Sequence, residues 1–304
     1  MMADSKAKDM LAGSRPSQNR ISRREFMAGT VAAGVTVMQP QWVRGVEANS
    51  RIKVGVVGLG GRGSLIARQI MEKHAGLDIS SVADYFPQVA ERVGESLKVP
   101  KARRHSGRSG YKKVIGDGVD AIILETPPCF FPEHACAAVN AGIHVYMAKP
   151  VAADVWGCQE ILKAGSKAGK NEQVFLVDFQ VPTEAFNQEV VKRCHQGVIG
   201  EMAMLSSIYC DEAFGDPPKT KTIASRLQRL IWVNDIDLGG GMLVNAGIHA
   251  VDAALWLAQA RPSSACGSGR RIRLDKHGDT FDLYSLTYDF ANGLVMNHRG
   301  EHLR

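Results

Sequence analysis

The sequence lacks the patterns that mark several classes of protein. None of its six cysteines forms a Cys-x-x-C pair, and no cluster of cysteines and histidines has the spacing of zinc ligands. No apolar run reaches the roughly 18 residues that a membrane-spanning helix needs, and the chain has no internal repeat or low-complexity tract. We therefore predict no metal site, no membrane span and no repeat array, and we expect free, mostly buried thiols.

The chain also has little net charge outside its first 48 residues. The formal net charge is +6, but residues 1–48 hold seven Lys or Arg against four Asp or Glu, which accounts for +3. The remaining +3 carries no nucleic-acid-binding signature. With 304 residues, 45% of them hydrophobic, the chain is long enough for two globular domains.

The most informative stretch runs from residue 52 to residue 63 and reads IKVGVVGLGGRG. Its valines predict a short buried strand, and the residues after Gly63 predict a helix. A Gly-x-Gly-x-x-Gly turn between strand and helix is typical of a dinucleotide site, because glycines allow a tight bend and a close approach to the pyrophosphate. The predicted cofactor-binding residues of this turn are Gly58, Gly60, Gly61, Arg62 and Gly63.

Asp84 follows the second predicted strand, 26 residues after Gly58. A carboxylate at this place can accept hydrogen bonds from the adenosine ribose and repel a 2′-phosphate. The alternative is a glycine-rich turn with a helix-capping Asp. Tyr85 and Phe86 stand where an arginine could read a phosphate, so NAD is favoured. NADP stays open because Arg62 could serve a phosphate.

Strands and helices alternate through the first half of the chain, which predicts a parallel sheet covered on both faces. The predicted strands are 52–58, 78–83, 120–125, 143–147 and a weaker one near 174–180; the predicted helices are near 63–73, 87–97, 132–141 and 154–169. We expect a solvated basic loop over Lys98–Lys113.

Candidate site residues follow the ends of these strands, where such sheets bind ligands. Thr126 and Pro127 end one strand, and His134 on the next helix could reach the same crevice or be an ordinary surface histidine. Lys149 ends the next strand and precedes Pro150. Beside a nicotinamide ribose, this lysine could bind hydroxyls and exchange a proton; alternatively, it is a surface lysine at a turn.

The pattern changes after residue 172 to an α+β arrangement. We predict a helix near 183–195, a strand over 202–209, a helix over 242–259 and a hairpin around Asn292-Gly293. This half therefore predicts a mainly antiparallel sheet with helices on one side.

One face of the helix over 242–259 is unusually polar. Asn245, His249, Asp252 and Trp256 recur with helical spacing. Either this face borders solvent, or it lines a cleft in which His249 moves protons and Asp252 orients it.

The N-terminal segment resembles a twin-arginine export signal. Ser22-Arg23-Arg24-Glu25-Phe26-Met27 precedes a mildly apolar stretch over 28–38, and Val46-Glu47-Ala48 fits a cleavage site. We therefore expect a periplasmic protein; the alternative is a chance Arg-Arg pair on an unstructured arm. The predicted boundaries are 1–48 for the signal, 49–172 for the first domain and 173–304 for the second.

Taken together, these motifs resemble the Gfo/Idh/MocA family of oxidoreductases. The motifs are the glycine turn, Asp84, Thr126-Pro127, Ala148-Lys149-Pro150, and a triple glycine before the helix with His249 and Asp252. The resemblance implies an α/β fold, in which a doubly wound Rossmann sheet precedes an α+β domain with an open-faced, mainly antiparallel sheet. Family members often pair through that open face, so a homo-oligomer is an expectation.

The resemblance also implies roles for particular residues. Lys149 corresponds to a lysine near the nicotinamide ribose and substrate, and His249 to the acid/base histidine. Ala148 and Asn245 stand where the family usually has acids. The chain stops directly after a predicted strand, which leads us to expect a C-terminally truncated second domain.

The predicted function is hydride transfer between a sugar, cyclitol or related polyol and a tightly bound nicotinamide cofactor. In this scheme His249 removes the hydroxyl proton and Lys149 hydrogen-bonds the developing oxyanion, with Asn245 and Asp252 nearby. Two alternatives are kept: an NAD-dependent glycoside hydrolase that oxidises its sugar transiently, and a dinucleotide-binding relative without catalysis.

Overall fold

The computed structural model describes residues 51–303, so the predicted export signal lies outside the described residues. The first domain is built on a sheet of six parallel strands in the order β3-β2-β1-β4-β5-β6. The strands are β1 (Ile52–Val57), β2 (Leu77–Asp84), β3 (Arg104–Ser106), β4 (Ala121–Leu124), β5 (His144–Ala148) and β6 (Phe175–Asp178). The order reverses direction at β1, so the crevice for a ligand opens between the ends of β1 and β4.

Helices cover both faces of this sheet, because side chains of its strands point alternately to the two sides. Val54 and Val56 of β1 pack on one side, whereas Val57 joins the core on the other. The helices are α1 (Gly61–Lys73), α2 (Pro87–Ser96), α3 (Gly110–Gly116), α4 (Phe131–Asn140) and α5 (Val155–Lys170). The predicted doubly wound parallel sheet is confirmed.

The segment Lys98–Lys113, predicted as a basic loop, contains β3 and the start of α3. The prediction was wrong because β3 is a three-residue edge strand, Arg-His-Ser, without any apolar alternation. Its pairing with β2 supplies the order that local sequence does not. The weak strand near 174–180 is β6, which pairs with β5, so the first sheet extends past residue 172.

The second domain has a four-stranded mixed sheet in the order β7-β10-β9-β8. Its strands are β7 (Met204–Asp211), β8 (Pro262–Arg270), β9 (Leu283–Phe290) and β10 (Val295–His302). The predicted hairpin joins β9 and β10, and Gly293 in its turn has φ of 86°. Strand β8 was not predicted, because its sequence PSSACGSGR has the composition of a loop.

The helix Ile248–Ala258 packs on β7 at one face of this sheet and carries the helix Ala185–His195 on it, whereas Met204 and Ile208 of β7 are exposed on the other face. The helices are α6 (Ala185–His195), α7 (Ala224–Leu227), α8 (Ile236–Gly239) and α9 (Ile248–Ala258). This arrangement confirms the predicted open-faced, mainly antiparallel second domain.

The predicted helix over 242–259 is divided into a π-helical turn at Leu243–Gly247 and α9. The helical run Ile236–Ala258 has the length and hydropathy of a membrane span, which the search for apolar runs in the sequence missed. This is weak evidence for a membrane, because α9 packs against β7 and α6 as a core helix does.

The six cysteines are free. Three are exposed and three are partly exposed, so the expectation of mostly buried thiols was wrong. Across residues 51–303 no group of three or more His, Cys, Asp or Glu side chains could hold a metal ion.

Candidate active site

A cavity of about 850 Å³ opens at the carboxyl ends of the first sheet. Its wall combines the glycine turn, the ends of β2, β4 and β5, and residues of the second domain. The predicted site residues that line it are Gly58, Gly60, Gly61, Arg62, Asp84, Thr126, Pro127, His134, Lys149 and Asn245. Its size, and a lining that combines apolar side chains with a few charged ones, are those of a small-molecule or cofactor site.

The glycine turn is shaped for a close ligand. Gly58 has φ of +92°, and a Cβ there would lie 2.6 Å from the carbonyl oxygen of Glu125. Gly63 does not line the cavity. A Cβ on Gly63 would lie 1.9 Å from the carbonyl oxygen of Gly58, so glycine at this position lets α1 pack closely on β1. Gly60 and Gly61 face open space, and no side chain caps the N-terminus of α1. An anionic group such as a pyrophosphate fits this cradle.

The Asp84 carboxylate is held by the backbone at the cavity wall. Its Oδ2 accepts a hydrogen bond from the Leu59 amide (2.8 Å) and its Oδ1 accepts one from the Phe86 amide (2.9 Å). Burial raises the pKa of Asp84, and these two hydrogen bonds oppose that shift. Each oxygen keeps a lone pair for a further donor, as recognition of a ribose diol requires.

Three buried polar atoms of the described chain that belong to cavity residues have no hydrogen-bond partner. They are Glu125 Oε1, Thr126 Oγ1 and His134 Nδ1, all near the end of β4 or on α4. Leaving such a group unpaired costs about 1–3 kcal/mol each. A ligand with both donors and acceptors would satisfy them, so the residues present fit a dinucleotide.

His134 is part of this wall rather than a surface histidine. Its ring stacks with those of Phe130 and Tyr111, at centroid distances of 5.8 and 4.2 Å. Burial lowers the pKa of His134 to about 4, so the imidazole is neutral near pH 7. A neutral ring can donate or accept one hydrogen bond toward a ligand without bringing charge.

Lys149 connects the two domains at the cavity. Its Nζ donates a hydrogen bond to the backbone carbonyl of Asn245, at 2.8 Å, in the π-helical turn. Burial lowers the pKa of Lys149 and the nearby Arg62 guanidinium lowers it further, whereas the carboxylates of Asp178, Glu125 and Asp211 oppose the shift. A desolvated lysine of this kind can bind an oxygen atom and exchange a proton.

His249 lies behind the cavity wall. Its ring stacks on Tyr209, with centroids 6.2 Å apart, and it is Tyr209 that lines the cavity. Burial lowers the pKa of His249, and the positive charges of Lys149 and Arg62 lower it further. The lysine and the histidine are therefore on the same side of the molecule and act on each other electrostatically.

The orienting contact expected between His249 and Asp252 is not made. No hydrogen bond joins the two within the described residues, and Asp252 does not line the cavity. The two side chains make no contact, although positions three apart on a helix are neighbours on its surface. Burial raises the pKa of Asp252.

Arg62 forms an ion pair with Asp178 at the end of β6 and lies 3.4 Å from Glu125 Oε2. In the sheet order, β6 and β2 are on opposite sides of β1. Arg62 therefore points away from Asp84, beside which a 2′-phosphate would lie, and its expected phosphate role gains no support.

Glu125 and Asp178 were not singled out by the sequence reasoning. Glu125 directly follows β4, and Asp178 ends β6, as Asp84 ends β2. An acid at the end of an apolar strand is the local signal that could have indicated both as site residues. Burial raises the pKa of Glu125 to about 7, against the lowering effect of Arg62.

This raised pKa predicts how stability depends on pH. The folded state keeps a proton on Glu125 that the unfolded chain releases near its ordinary pKa of 4.5. The stability contribution is thus fully present below that value and is lost as the pH rises toward 7. In Glu125→Gln this decline is absent, so thermal unfolding from pH 5 to 8 should show the variant gaining on the native protein as the pH rises. A constant difference across this range would contradict the assignment.

A buried ion network of the second domain supports the far wall of the cavity. Arg226 contacts Asp216 (2.6 Å) and Asp235 (2.5 Å), and Arg273 contacts Asp216 (2.6 Å) and Asp282 (2.5 Å). The residues just after Arg226 line the cavity: Leu227, Gln228, Arg229, Leu230 and Trp232. No local pattern in the sequence indicates this network, because its pairs join residues as far as 57 positions apart.

Two family profiles cover most of the chain. Residues 52–176 match the oxidoreductase family with an NAD-binding Rossmann fold, and residues 187–301 match the GFO/IDH/MocA C-terminal domain. In the solved structures, an aldose–aldose oxidoreductase from Caulobacter crescentus superposes with a TM-score of 0.68 at 21% identity, covering 83% of this chain and 71% of that one.

Relatives with an assigned activity include inositol dehydrogenases. Inositol 2-dehydrogenase of Klebsiella pneumoniae is 26% identical over 191 residues, 61% of this chain and 55% of the relative. The NAD(+)-dependent scyllo-inositol 2-dehydrogenase of Bacillus subtilis is 24% identical over 247 residues, 80% of this chain and 65% of the relative. The chain thus spans between half and two thirds of the length of these relatives. With both domains matched in order, the chain belongs to the GFO/IDH/MocA family of oxidoreductases.

Proposed function

We propose that this protein is an NAD-dependent oxidoreductase that transfers a hydride between a cyclitol, sugar or related polyol and its cofactor. One observation carries the proposal: Lys149, bonded to the second domain through the Asn245 carbonyl, faces the same cavity as the glycine turn and Asp84. Cofactor-binding and proton-handling groups therefore share one site.

The residues present suggest how the dinucleotide would be held. Asp84 would bind the adenosine ribose, and the amides around Gly60 and Gly61 would bind the pyrophosphate. The nicotinamide half of the dinucleotide would then extend past Thr126 toward Lys149. NAD, when bound, supplies the hydride acceptor.

The protein's own groups would handle the substrate proton. The lowered pKa of His249 keeps its imidazole neutral at pH 7, so it can accept a proton. Lys149, as an ammonium, would hydrogen-bond the substrate oxygen as negative charge develops there. Tyr209 stands between His249 and the cavity, so a proton would reach the histidine along the edge of that ring or after a rotation of it.

The second domain supplies groups suited to a polyol. The aromatic residues Tyr209, Phe214 and Trp232 line the cavity, together with the acid Asp211. Ring faces pack against the C–H faces of cyclic polyols, and a carboxylate accepts bonds from neighbouring hydroxyls. We infer a ring-shaped substrate with several hydroxyls.

The cofactor preference gives a testable consequence. Asp84→Ala should weaken NAD binding by about 10- to 100-fold, the effect of losing hydrogen bonds to a charged group. It should also narrow the preference for NAD over NADP, because the repulsion of a 2′-phosphate is removed. Fluorescence titration with NADH and NADPH measures both effects. The matched control is Asp78→Asn, an exposed acid on the same strand. An unchanged preference in Asp84→Ala would contradict the assigned orientation.

Two measurements test the function as a whole. Mass spectrometry of ligand released from denatured protein identifies any retained dinucleotide. Absorbance at the NADH band, with a panel of inositols and aldoses, then reports hydride transfer. Chromogenic glycosides assayed without added NAD separate the glycosidase alternative, which releases the chromophore without net NADH. Tight dinucleotide binding with no turnover of any substrate would favour the non-catalytic alternative.

A further inference from the structure

Asp178 lies at the centre of the site although no motif marks it. It is the last residue of β6, and its Cα is paired with that of Ala148 on β5. Paired residues of parallel strands point to the same face of the sheet, as do residues two apart on one strand. Asp178 therefore shares a face with Ala148 and Tyr146, directly beside the strand that ends in Lys149.

Asp178 interacts with four polar groups at the inner end of the site. Its carboxylate pairs with Arg62 of α1, and its side chain is 13% exposed. Burial and a hydrogen bond to Asp178 raise the pKa of the Tyr146 hydroxyl. Its negative charge also raises the pKa of both Lys149 and His249, against the stronger effects of burial.

The other positions around Lys149 do not supply this charge equally well. Ala148 on its own strand and Asn245 on the facing π-helical turn are uncharged. Glu125 is half-protonated near pH 7, because its pKa is raised to about 7. Asp211 on β7 is exposed to water, which screens it. Among the described residues, Glu125 and Asp211 act on Lys149 only, whereas the charge of Asp178 acts on both Lys149 and His249.

We propose that Asp178 is a positioning residue of the active site, which supplies the negative charge facing Lys149 and His249 and fixes Arg62 across the crevice. The inference rests on the proposed function for its catalytic consequence. The effect of Asp178 on Lys149 in the cofactor-free protein does not depend on the proposed function. No bond to substrate is required, since Asp178 acts through the lysine and the arginine.

The first test measures Lys149 directly, without cofactor or substrate. The protein is labelled with acetic anhydride across a range of pH, and acetylation of the peptide with Lys149 is measured by mass spectrometry. In Asp178→Asn and Asp178→Ser, half-maximal labelling should move to lower pH, because a neighbouring negative charge is lost. Asp178→Glu should restore the native curve. The matched control, Glu189→Gln, removes an exposed carboxylate on α6 that pairs with Arg193.

The groups around Lys149 that also carry charge are Arg62 on α1, Glu125 on β4, Asp211 on β7 and His249 on α9. Because Glu125 itself titrates near pH 7, the labelling is repeated in a Glu125→Gln background. The shift caused by Asp178→Asn should persist there. A native labelling curve in both Asp178 variants would overturn the proposal.

The second test is a charge exchange across the site. Asp178→Asn should lower kcat by about tenfold or more, within the range of lost proton-transfer assistance. Adding Asn245→Asp returns a carboxylate to the turn that contacts Lys149, so the double variant should recover most of the loss. Unfolding temperatures near the native value show that the variants fold. A double variant no more active than Asp178→Asn, with native stability, would overturn the proposal. If the native protein oxidises no polyol, the proposed function fails while the labelling test still decides the role of Asp178.

Discussion

Lys149→Ala is expected to lower kcat by about 100- to 10,000-fold, the range for losing a positioned proton-transfer or oxyanion-binding group. Within residues 51–303, Lys149 directly follows a strand of the first sheet at the cavity and also bonds the second domain. Its removal takes away both the positive charge that we propose for binding the substrate oxygen and the link to the Asn245 carbonyl. We therefore expect kcat to fall far more than the Kd for NAD rises.

The experiment compares steady-state NADH formation with NADH binding for each variant. Lys149→Arg should not restore turnover, because a planar guanidinium is larger than an ammonium and directs its hydrogen bonds differently. The control is Lys163→Ala, an exposed lysine of α5 whose pair with Glu160 lies at the surface. The expected loss is far larger than about threefold. If kcat of Lys149→Ala stays within about threefold of the native kcat, Lys149 has no catalytic role.

Gly63→Ala is expected to destabilise the fold by about 2–4 kcal/mol, at the upper end of overpacking substitutions. The added Cβ would lie 1.9 Å from the carbonyl oxygen of Gly58, and that backbone cannot move without displacing β1 or α1. Cofactor binding should be lost together with stability, because the same turn forms the cradle.

Gly60→Ala separates the two effects. No atom lies within 4 Å of a Cβ at Gly60, so the variant should fold with a native unfolding temperature. It should nevertheless bind NAD more weakly, since the methyl group would occupy the space expected for the pyrophosphate. Gly116→Ala, at the end of α3 and equally unobstructed, is the control for both. Native affinity in Gly60→Ala would contradict a pyrophosphate at this turn.

The glycine turn and the strand ends could be predicted from sequence because their signals are local. A tight turn needs glycine at particular positions, and a buried strand needs a run of apolar residues, so Gly58, Asp84 and Lys149 stand out within short windows. Parallel sheets then bring strand ends together by topology alone. This is why the cavity contains most of the predicted residues.

The rest of the site depends on contacts that no local pattern reveals. Arg62 and Asp178 are 116 positions apart, and Lys149 and Asn245 are 96 apart. Neither the missing contact between His249 and Asp252 nor the position of Tyr209 between His249 and the cavity is indicated by helical spacing. Strand β8 is held by pairing with β9 rather than by its own composition.

A crystal structure of the protein with bound NADH would test the central claim most directly. The account predicts the pyrophosphate at the Gly60–Gly61 amides, the adenosine ribose on Asp84, and the nicotinamide ring near Lys149 and Tyr209. A dinucleotide bound in the opposite direction, or one whose nicotinamide ring lies away from Lys149, would contradict it.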